Sequence, residues 1–285
     1  PLTSLFEAVI VWHAWWVVAN GCPSRWAIPN QPREAPVKIL VTAKRVTDPD
    51  AKIRVKADGT GIETAGLEYK LNPFCENAIE EAVQLRDKLG GEVIAVTIGN
   101  DDAVQSLRSA LAIGADRGIH VKLTDEEMDS DLAARILAKV FQNESPDLFL
   151  LGKQAVDGDS SQVGQLVAEY LDLPQACFAS AIEAAADKLT VTRELDGGLE
   201  TIEVSLPAVV TADLRLNEPR LPTLPNVLKA KRKPVAEFTV GDLGIDPTLK
   251  VVTVAYEAPA ARAGGIKVKS VEELMDKLIN EAKAL

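Results

Sequence analysis

Cysteine is scarce in this sequence: Cys22, Cys75 and Cys177 are the only three, and no CxxC pair occurs. Scattered thiols make neither a disulfide framework nor a zinc or iron–sulfur ligand set, and they fit a reducing compartment, the cytoplasm being the simplest. Histidine is scarcer still. His13 and His120 are the only two, one in the N-terminal segment and one in a strand, where a satisfied core position suits it better than catalysis. Positive charge is in deficit: a net charge of −11 would repel a phosphate backbone from most of the surface, which excludes general nucleic-acid binding. Neither a GxGxxG fingerprint nor a GxxxxGKS/T loop is present, so the common dinucleotide and P-loop signatures are missing. The apolar run from Ala8 to Ala19 is too short to span a bilayer.

What is present is ordinary for a soluble globular protein. The 285 residues, 47% hydrophobic and 26% charged, suffice for one large or two moderate domains with a substantial core. A sharp break lies near the start. All four tryptophans, Trp12, Trp15, Trp16 and Trp26, fall within the first 26 residues. Glu7 is the only charge ahead of the apolar run, so a secretory signal with a basic start fits poorly. Residues 21–36 are rich in Pro and turn formers, after which VKILVTAK opens as a first strand. The expectation is that residues 1–36 form an extension outside the fold, as when translation starts upstream of a true start at Val37. A membrane-associating peptide is the rival reading.

From Val37 onward, apolar strand runs alternate with amphipathic helices. VKILVTAK precedes a hairpin predicted over KIRVKADGTGIET, with Asp58-Gly59 at its turn. A helix follows with Asn72 as N-cap and Pro73 at its first position, ending near Gly90. EVIAVTIG leads to a helix capped near Asp101, GIHVKL to a helix from about Asp131 to Gln142, and DLFLLGK to another helix. Such alternation predicts an α/β fold, a Rossmann-like parallel sheet with helices on both faces. Ligands in such folds sit at the carboxyl ends of strands, here after Ala43, Ile98 and Leu151. Near residue 188 the pattern turns into a short antiparallel meander, KLTVTREL, DGGLETIEVSL and PAVVTAD, with Gly197 and Gly198 at a turn.

Beyond Asp213 regularity is lost. NEPRLPTLPNVLKAKRKP holds four prolines and the cluster Lys229, Lys231, Arg232 and Lys233, which reads either as a docking surface for an acidic partner or as a solvated charge run. Ser270 to Ala284 reads as a closing helix with Ser270 and Glu273 as a capping box. Glu80 and Glu81 fall on a helix face with no partner group in view. The expected division is the extension 1–36, a nucleotide-binding α/β domain over 37–213, and a partner-docking loop with an extended C-terminal arm over 214–285.

The most informative stretch is LLGKQAVDGDSSQVGQLVAE, Leu150 to Glu169, which runs from strand through a small polar loop into a helix. Gly152 and Gly158 let the backbone approach a ligand, and Ser160 or Ser161 is placed to cap the helix. Amides at a helix start, with the positive end of its dipole, seat a phosphate. Lys153 adds positive charge, while Asp157 and Asp159 would repel phosphate and belong near ribose hydroxyls or backbone amides. The same spacing also fits an ordinary strand-to-helix loop with two Asp as turn and cap residues.

KILVTAKRV (Lys38 to Val46), LNPFCENAIEEA (Leu71 to Ala82), GADRGIHV (Gly114 to Val121), LLGKQAVDGD (Leu150 to Asp159), DGGLETIEVSLPAVVTADLRLNEPR (Asp196 to Arg220) and TLPNVLKAK (Thr223 to Lys231) together closely resemble the beta subunit of electron transfer flavoproteins. Several long motifs in one order make the resemblance specific, and it runs from about Val37 to the C-terminus. It implies a heterodimer with an alpha subunit that holds most of one FAD, while the beta subunit buries a structural AMP. AMP contacts then map onto Thr42, onto Asn72, Pro73, Phe74 and Cys75, onto Ile98, and onto Gly152, Lys153, Gln154, Ala155, Val156, Asp157, Gly158, Asp159, Ser160, Ser161, Gln162 and Val163. Without that loop, Phe74 and Cys75 would read as core residues. Ser161 and Val163 stand where AMP-binding members often carry Asn and Thr, and DGDSSQVG is closer to electron-bifurcating relatives that hold a second FAD. GKQ, NPFC and TLPNVLKAK resemble the AMP type, which is the reading favoured. Pro49 stands where some members place a Tyr near the flavin, so no flavin stacking is expected from that position.

The resemblance implies a carrier that accepts electrons one at a time from acyl-CoA dehydrogenases and related flavoenzymes and passes them to a membrane quinone oxidoreductase. It implies no bond-making chemistry, catalytic residue or metal in this chain, and no membrane insertion; the setting is the bacterial cytoplasm, or the mitochondrial matrix in a eukaryote. Leu224 matches a family leucine that inserts into a pocket on the dehydrogenase. Held between Pro222 and Pro225 it is stiffened, which lowers the ordering cost of docking, and Lys229 and Arg232 beside it supply steering. From the residues alone, Leu224 also reads as a loop residue packing on its own domain. A stand-alone nucleotide-binding or sensing module is the alternative from another class, and it leaves the arm and last helix without a role.

Overall fold

The computed structural model describes residues 36–124, 127–185, 187–260 and 264–285, so all but the last residue of the extension expected over 1–36 lies outside the described residues. β1 (Val37–Thr42) is followed by two short strands, β2 (Arg45–Thr47) and β3 (Tyr69–Leu71), then by α1 (Pro73–Leu89), β4 (Gly91–Gly99), α2 (Ala103–Ile113) and β5 (Arg117–Lys122). Next come α3 (Ser130–Glu144), β6 (Leu148–Gly152), α4 (Val163–Leu171), β7 (Gln175–Ala184), β8 (Lys188–Leu195), β9 (Gly198–Ser205) and β10 (Ala208–Ala212). The chain closes with α5 (Leu224–Ala230), β11 (Val235–Thr239) and α6 (Val271–Asp276), which continues as a π-helical stretch, Lys277–Glu281.

The main sheet runs β11-β5-β4-β1-β6-β10-β7-β8-β9, parallel from β11 to β7 and antiparallel beyond. Its inner strands are buried on both faces, which is why they read as unbroken aliphatic runs; every residue of β10 is buried. α1 and α2 lay Ile79, Val83, Leu107 and Leu111 against one face, where Ile39, Val41 and Leu150 meet them. α3 and α4 cover the other with Leu132, Ile136, Val140 and Val167 against Leu40, Ile94 and Phe149. Each such side chain contributes about 1.5–3 kcal/mol relative to exposure. This is the α/β architecture expected, with helices on both faces of a mostly parallel sheet. The chain builds β4 and β5 outward on one side of β1 and then crosses to lay β6 on the other. That reversal opens a crevice at the carboxyl ends of β1 and β6.

Several elements depart from the sequence reading. KIRVKADGTGIET keeps its turn, with Gly59 at φ 67°, but makes a single bridge, Val55 to Ile62, in place of two strands. With no sheet over it, the segment buries too little to hold a ladder. PAVVTAD is not a meander strand: the antiparallel unit is β7, β8 and β9, and β10 turns back into the sheet between β6 and β7. β7 itself, QACFASAIEA, gives little strand signal because four of its ten residues are alanine. Beyond Asp213 the chain is more regular than expected, since α5 is helical and β11 pairs with β5 at the sheet edge. The last helix stops short of Ala284. Ser270 Oγ accepts from Glu273 N (3.2 Å), as a capping box requires, but Glu273 Oε2 accepts from Lys269 N (2.9 Å), one residue before the cap.

Glu80 and Glu81 are not without partners. Both are buried on α1 and receive the segment that follows β10: Arg220 Nε and Nη2 donate to Glu80, and Asn217 Nδ2 donates to Glu81 Oε2 (3.0 Å). Asn77, one turn earlier, donates to Asn217 O (2.6 Å) and Leu214 O (3.2 Å). The helix thus carries a polar face because a loop of extended backbone must be satisfied there.

Candidate functional site

Gly152, at the end of β6, is required by close approach. A Cβ there would lie 2.8 Å from Phe74 Cβ and 3.0 Å from Cys75 N, so β6 seats on the start of α1 only without one. Gly158 has no such role, since its Cβ would meet nothing within 4 Å. The loop's left-handed residues are instead Asp159 and Ser161, at φ 48° and 49°.

Pro73 opens α1 as expected, but the Asn72 side chain does not cap it. Only 1% exposed, it reaches across to the loop: Nδ2 donates to Gln154 O (2.8 Å) and Oδ1 accepts from Val156 N (3.2 Å). One amide therefore fixes the first turn of α1 to the loop after β6. Ser160 and Ser161 likewise leave α4 uncapped, the cap position being Gln162 without a side-chain bond. Ser160 Oγ lies 3.3 Å from Ser130 Oγ, and Ser161 Oγ donates to Lys153 O (3.3 Å). The bond that starts α4 is Leu166 N to Gln162 O (3.0 Å), so the amides of Val163, Gly164 and Gln165 precede it without an intrahelical acceptor, at the positive end of the helix.

These segments enclose a cleft of about 720 Å³ at the crevice between β1 and β6. Thr42, Asn72, Cys75, Ile98, Gly152, Lys153, Gln154, Ala155, Gly158, Ser160, Ser161, Gln162 and Val163 line it. Pro73, Phe74, Val156, Asp157 and Asp159 lie outside the lining: Phe74 packs against Gly152, Asp157 turns to Lys44 (2.8 Å), and Asp159 accepts from Gln154 Nε2 (2.6 Å). Val96, Leu137, Leu151 and Leu166 join Ile98 and Val163 in an apolar wall.

Sequence reasoning missed another wall of this cleft: Asp129, Ser130 and Asp131 at the start of α3, and Lys250, Val251 and Thr253 from the C-terminal arm. Asp129 caps α3 by accepting from Leu132 N (2.7 Å), a role its place before the apolar periodicity signals. Nothing around Lys250 in the sequence points to the cleft.

The lysines lining the cleft are all paired, Lys44 with Asp157 (2.8 Å), Lys153 with Asp213 (3.0 Å) and Lys250 with Asp131 (2.7 Å). Lys153 is thus no lone cation for a phosphate. Burial pushes the Asp131 carboxyl up, but bonds from Lys250, Tyr170 and Arg135 outweigh it and hold it at about 2. Asp129 is also pushed up by burial, yet the amides of Leu132, Val251 and Lys250 bring it below the usual range. An uncapped helix start beside an apolar slot suits a ligand with an anionic end and a flat apolar end.

Outside the cleft, Leu224 opens α5 and is 73% exposed, flanked by exposed Leu221 and Leu228, so it does not pack on its own domain. Lys229 and Arg232 are exposed beside it. Lys233, from the same cluster, turns inward, and its Nζ donates to Leu111 O (3.0 Å) and Ala115 O (2.5 Å). His120 is fully buried, a core position as read from the sequence, but it is only half satisfied: Nε2 lies 2.9 Å from Gly99 O, while Nδ1 has no hydrogen-bond partner among the described residues. Among the described residues no cluster of His, Cys, Asp and Glu could hold a metal, and no helix is long and apolar enough to cross a membrane.

Residues 60–243 match the family model of the electron transfer flavoprotein domain. The human electron transfer flavoprotein subunit beta is 52% identical over 248 residues, covering 86% of this chain and 97% of the human one. The subunit beta of Bradyrhizobium diazoefficiens is 49% identical over 252 residues, covering 87% of this chain and 100% of its own. The mitochondrial subunit beta of Arabidopsis thaliana is 50% identical over 249 residues, covering 86% of this chain and 99% of that one.

Proposed function

The chain belongs to the electron transfer flavoprotein family, and from that premise we propose that it is the beta subunit of a heterodimer with an alpha subunit, acting as an electron carrier and not as an enzyme with bond-making chemistry. The cleft between β1 and β6 is read as the seat of one structural AMP. The observation that carries this is the convergence of Asn72, the loop from Gly152 to Gln162 and the uncapped start of α4 on one cavity. The residues fit the nucleotide. Ile98, Leu137, Val163 and Leu166 offer an apolar surface to a purine, and the amides of α4 with Ser160 and Ser161 offer donors to a phosphate. Because the lysines are spent in ion pairs, phosphate recognition falls to neutral donors.

In this reading residues 37–213 carry most of the nucleotide site, while 214–285 supply the docking loop and the arm that meets alpha, with β11 lent to the sheet and Lys250, Val251 and Thr253 to the cleft wall. FAD, held mainly by alpha, supplies the one-electron chemistry when bound. Acyl-CoA dehydrogenases and related flavoenzymes are the proposed donors, and a membrane quinone oxidoreductase the proposed acceptor. The exposed Leu224 with Lys229 and Arg232 beside it supports such docking. The bacterial cytoplasm or the mitochondrial matrix is the compartment this role implies. Denaturing the purified heterodimer and separating the released nucleotides tests the reading: one FAD and one AMP are expected. Two FAD and no AMP would overturn it in favour of an electron-bifurcating relative.

A further inference from the structure

The arm runs over residues 246–260 without regular secondary structure, yet its first part is fastened along one line. Arg135 donates through Nη1 to Asp246 O and through Nη2 to Thr248 O (2.6 Å). Asp129 Oδ2 then accepts from Lys250 N (2.7 Å) and Val251 N (2.9 Å). Lys250 Nζ donates to Asp131 Oδ1 (2.7 Å) and to Tyr170 OH (3.0 Å), and Tyr170 OH itself donates to Asp131. The same stretch contributes Lys250, Val251 and Thr253 to the cleft wall.

We propose that residues 246–253 form a strap closing the outer wall of the nucleotide cleft, latched by Lys250 on Asp131 and Tyr170, so that a nucleotide enters and leaves only when the strap lifts. The inference rests on reading the cleft as a nucleotide site. The other walls belong to the sheet and to α1, α3 and α4, whose apolar faces are buried, and to the loop after β6, which the buried Asn72 ties to α1. The strap has little such burial: Leu249 is half-buried against the core, but Val251 and Val252 are exposed, and what chiefly holds the strap is a set of polar bonds that end on Asp129 and on the buried Asp131. With few apolar contacts to break, this wall opens before the packed helices and sheet do, and the bonds to Asp131 set how often. Beyond it the arm is tied again by Tyr256 N to Gly59 O (2.9 Å), which lets the strap lift as a loop between two anchors. Tyr170 is not among the residues lining the cleft, so its part in the latch is separable from any contact with a ligand.

The test uses the purified heterodimer and radiolabelled AMP, with association and dissociation rates measured for wild type, Lys250→Met, Lys250→Arg and Tyr170→Phe. A latch limits entry and exit alike, because both scale with the fraction of time the strap is open. Tyr170→Phe, outside the cleft lining, is expected to raise both rates together by about twofold with affinity nearly unchanged, Lys250→Met to raise both further, by about fivefold, and Lys250→Arg to restore them. A rise in dissociation alone would make Lys250 a ligand contact and overturn the strap. Unchanged rates in Lys250→Met and Tyr170→Phe would overturn it as well, leaving the nucleotide site intact. A wild-type heterodimer that binds no AMP would overturn the site itself and the strap with it.

Discussion

Arg220 grips Glu80 through a fork, Nε to Oε2 at 2.8 Å and Nη2 to Oε1 at 2.9 Å, and its backbone N adds a further bond to Oε2 at 3.2 Å. The pair fastens the chain beyond β10 to the middle of α1, the helix whose first turn holds Asn72 over the cleft. Arm and cleft are thus braced on one helix. The fork is bidentate and charge-assisted, and Glu80 is buried, so removing Arg220 would strand a carboxylate.

The two neighbouring carboxylates respond to pH in opposite senses. Burial pushes Glu80 up, but Arg220 and Gln84 outweigh it and bring it below its ordinary value. Its stabilising contribution is therefore present above that ordinary value and is lost as pH falls through the depressed one. Glu81 is raised by burial, against a weaker lowering by Asn217. Its contribution is full below the ordinary value and is lost as pH rises through the raised one. At neutral pH, Glu80→Gln is expected to cost roughly 1–2 kcal/mol, and Glu81→Gln to cost little or to stabilise. Both effects should shrink at acid pH. Urea midpoints for the two variants across that range check this, and effects that do not shrink would contradict the assignment.

Asn72→Ala removes both bonds that hold the loop after β6 to α1. A loss of roughly 1–3 kcal/mol of stability is expected, together with a fall in AMP retained through purification. Asn72→Asp keeps an acceptor for Val156 N but sets a carboxylate oxygen against Gln154 O, so it should not rescue. Nucleotide content equal to wild type in either variant would show that Asn72 does not organise the site.

The arm beyond the strap exposes Val254, Ile266 and Val271, apolar side chains with little core of their own. Expressed alone, the chain is expected to lose this arm to limited trypsin, and co-expression with the alpha subunit to protect it. Equal digestion rates with and without alpha, followed by mass spectrometry, would count against an arm that alpha covers.

Leu224→Ala is expected to weaken docking to a partner dehydrogenase by roughly 2–3 kcal/mol, or about 30- to 150-fold, with flavin content unchanged. Neutralising Lys229 and Arg232 should slow association and flatten its salt dependence, with less effect on dissociation. Electron transfer at several ionic strengths, with dehydrogenase below saturation, separates the two. Wild-type transfer by Leu224→Ala would remove this helix from the docking surface.

The parallel strands and their helices were legible because burial on both faces writes itself as aliphatic runs, and Pro73 and Gly152 punctuate them. β7 was not, because alanines carry no strand signature, and β11 was hidden behind a proline-rich approach. PAVVTAD could be read as a strand but not as a central one, since pairing partners are a property of topology. In the cleft, the loop from Gly152 announced itself by composition. The wall made by Asp129, Asp131 and Lys250 did not, because it joins residues more than a hundred positions apart through an arm with no periodicity. Glu80 and Glu81 looked solitary for the same reason: their partners, Arg220 and Asn217, arrive from a distant loop.

β10 fills the slot between β6 and β7, although it is made after both. During synthesis, then, the growing chain holds two half-sheets whose facing edges are unpaired until residues 208–212 emerge. Those edges are apolar and made for parallel pairing, so they are the surfaces most open to wrong strands from other chains in that interval. A ribosome pause or truncation shortly before Ala208 should therefore be far more harmful to yield than one shortly after Ala212, and a chaperone guarding this protein would be needed chiefly across that short window of translation.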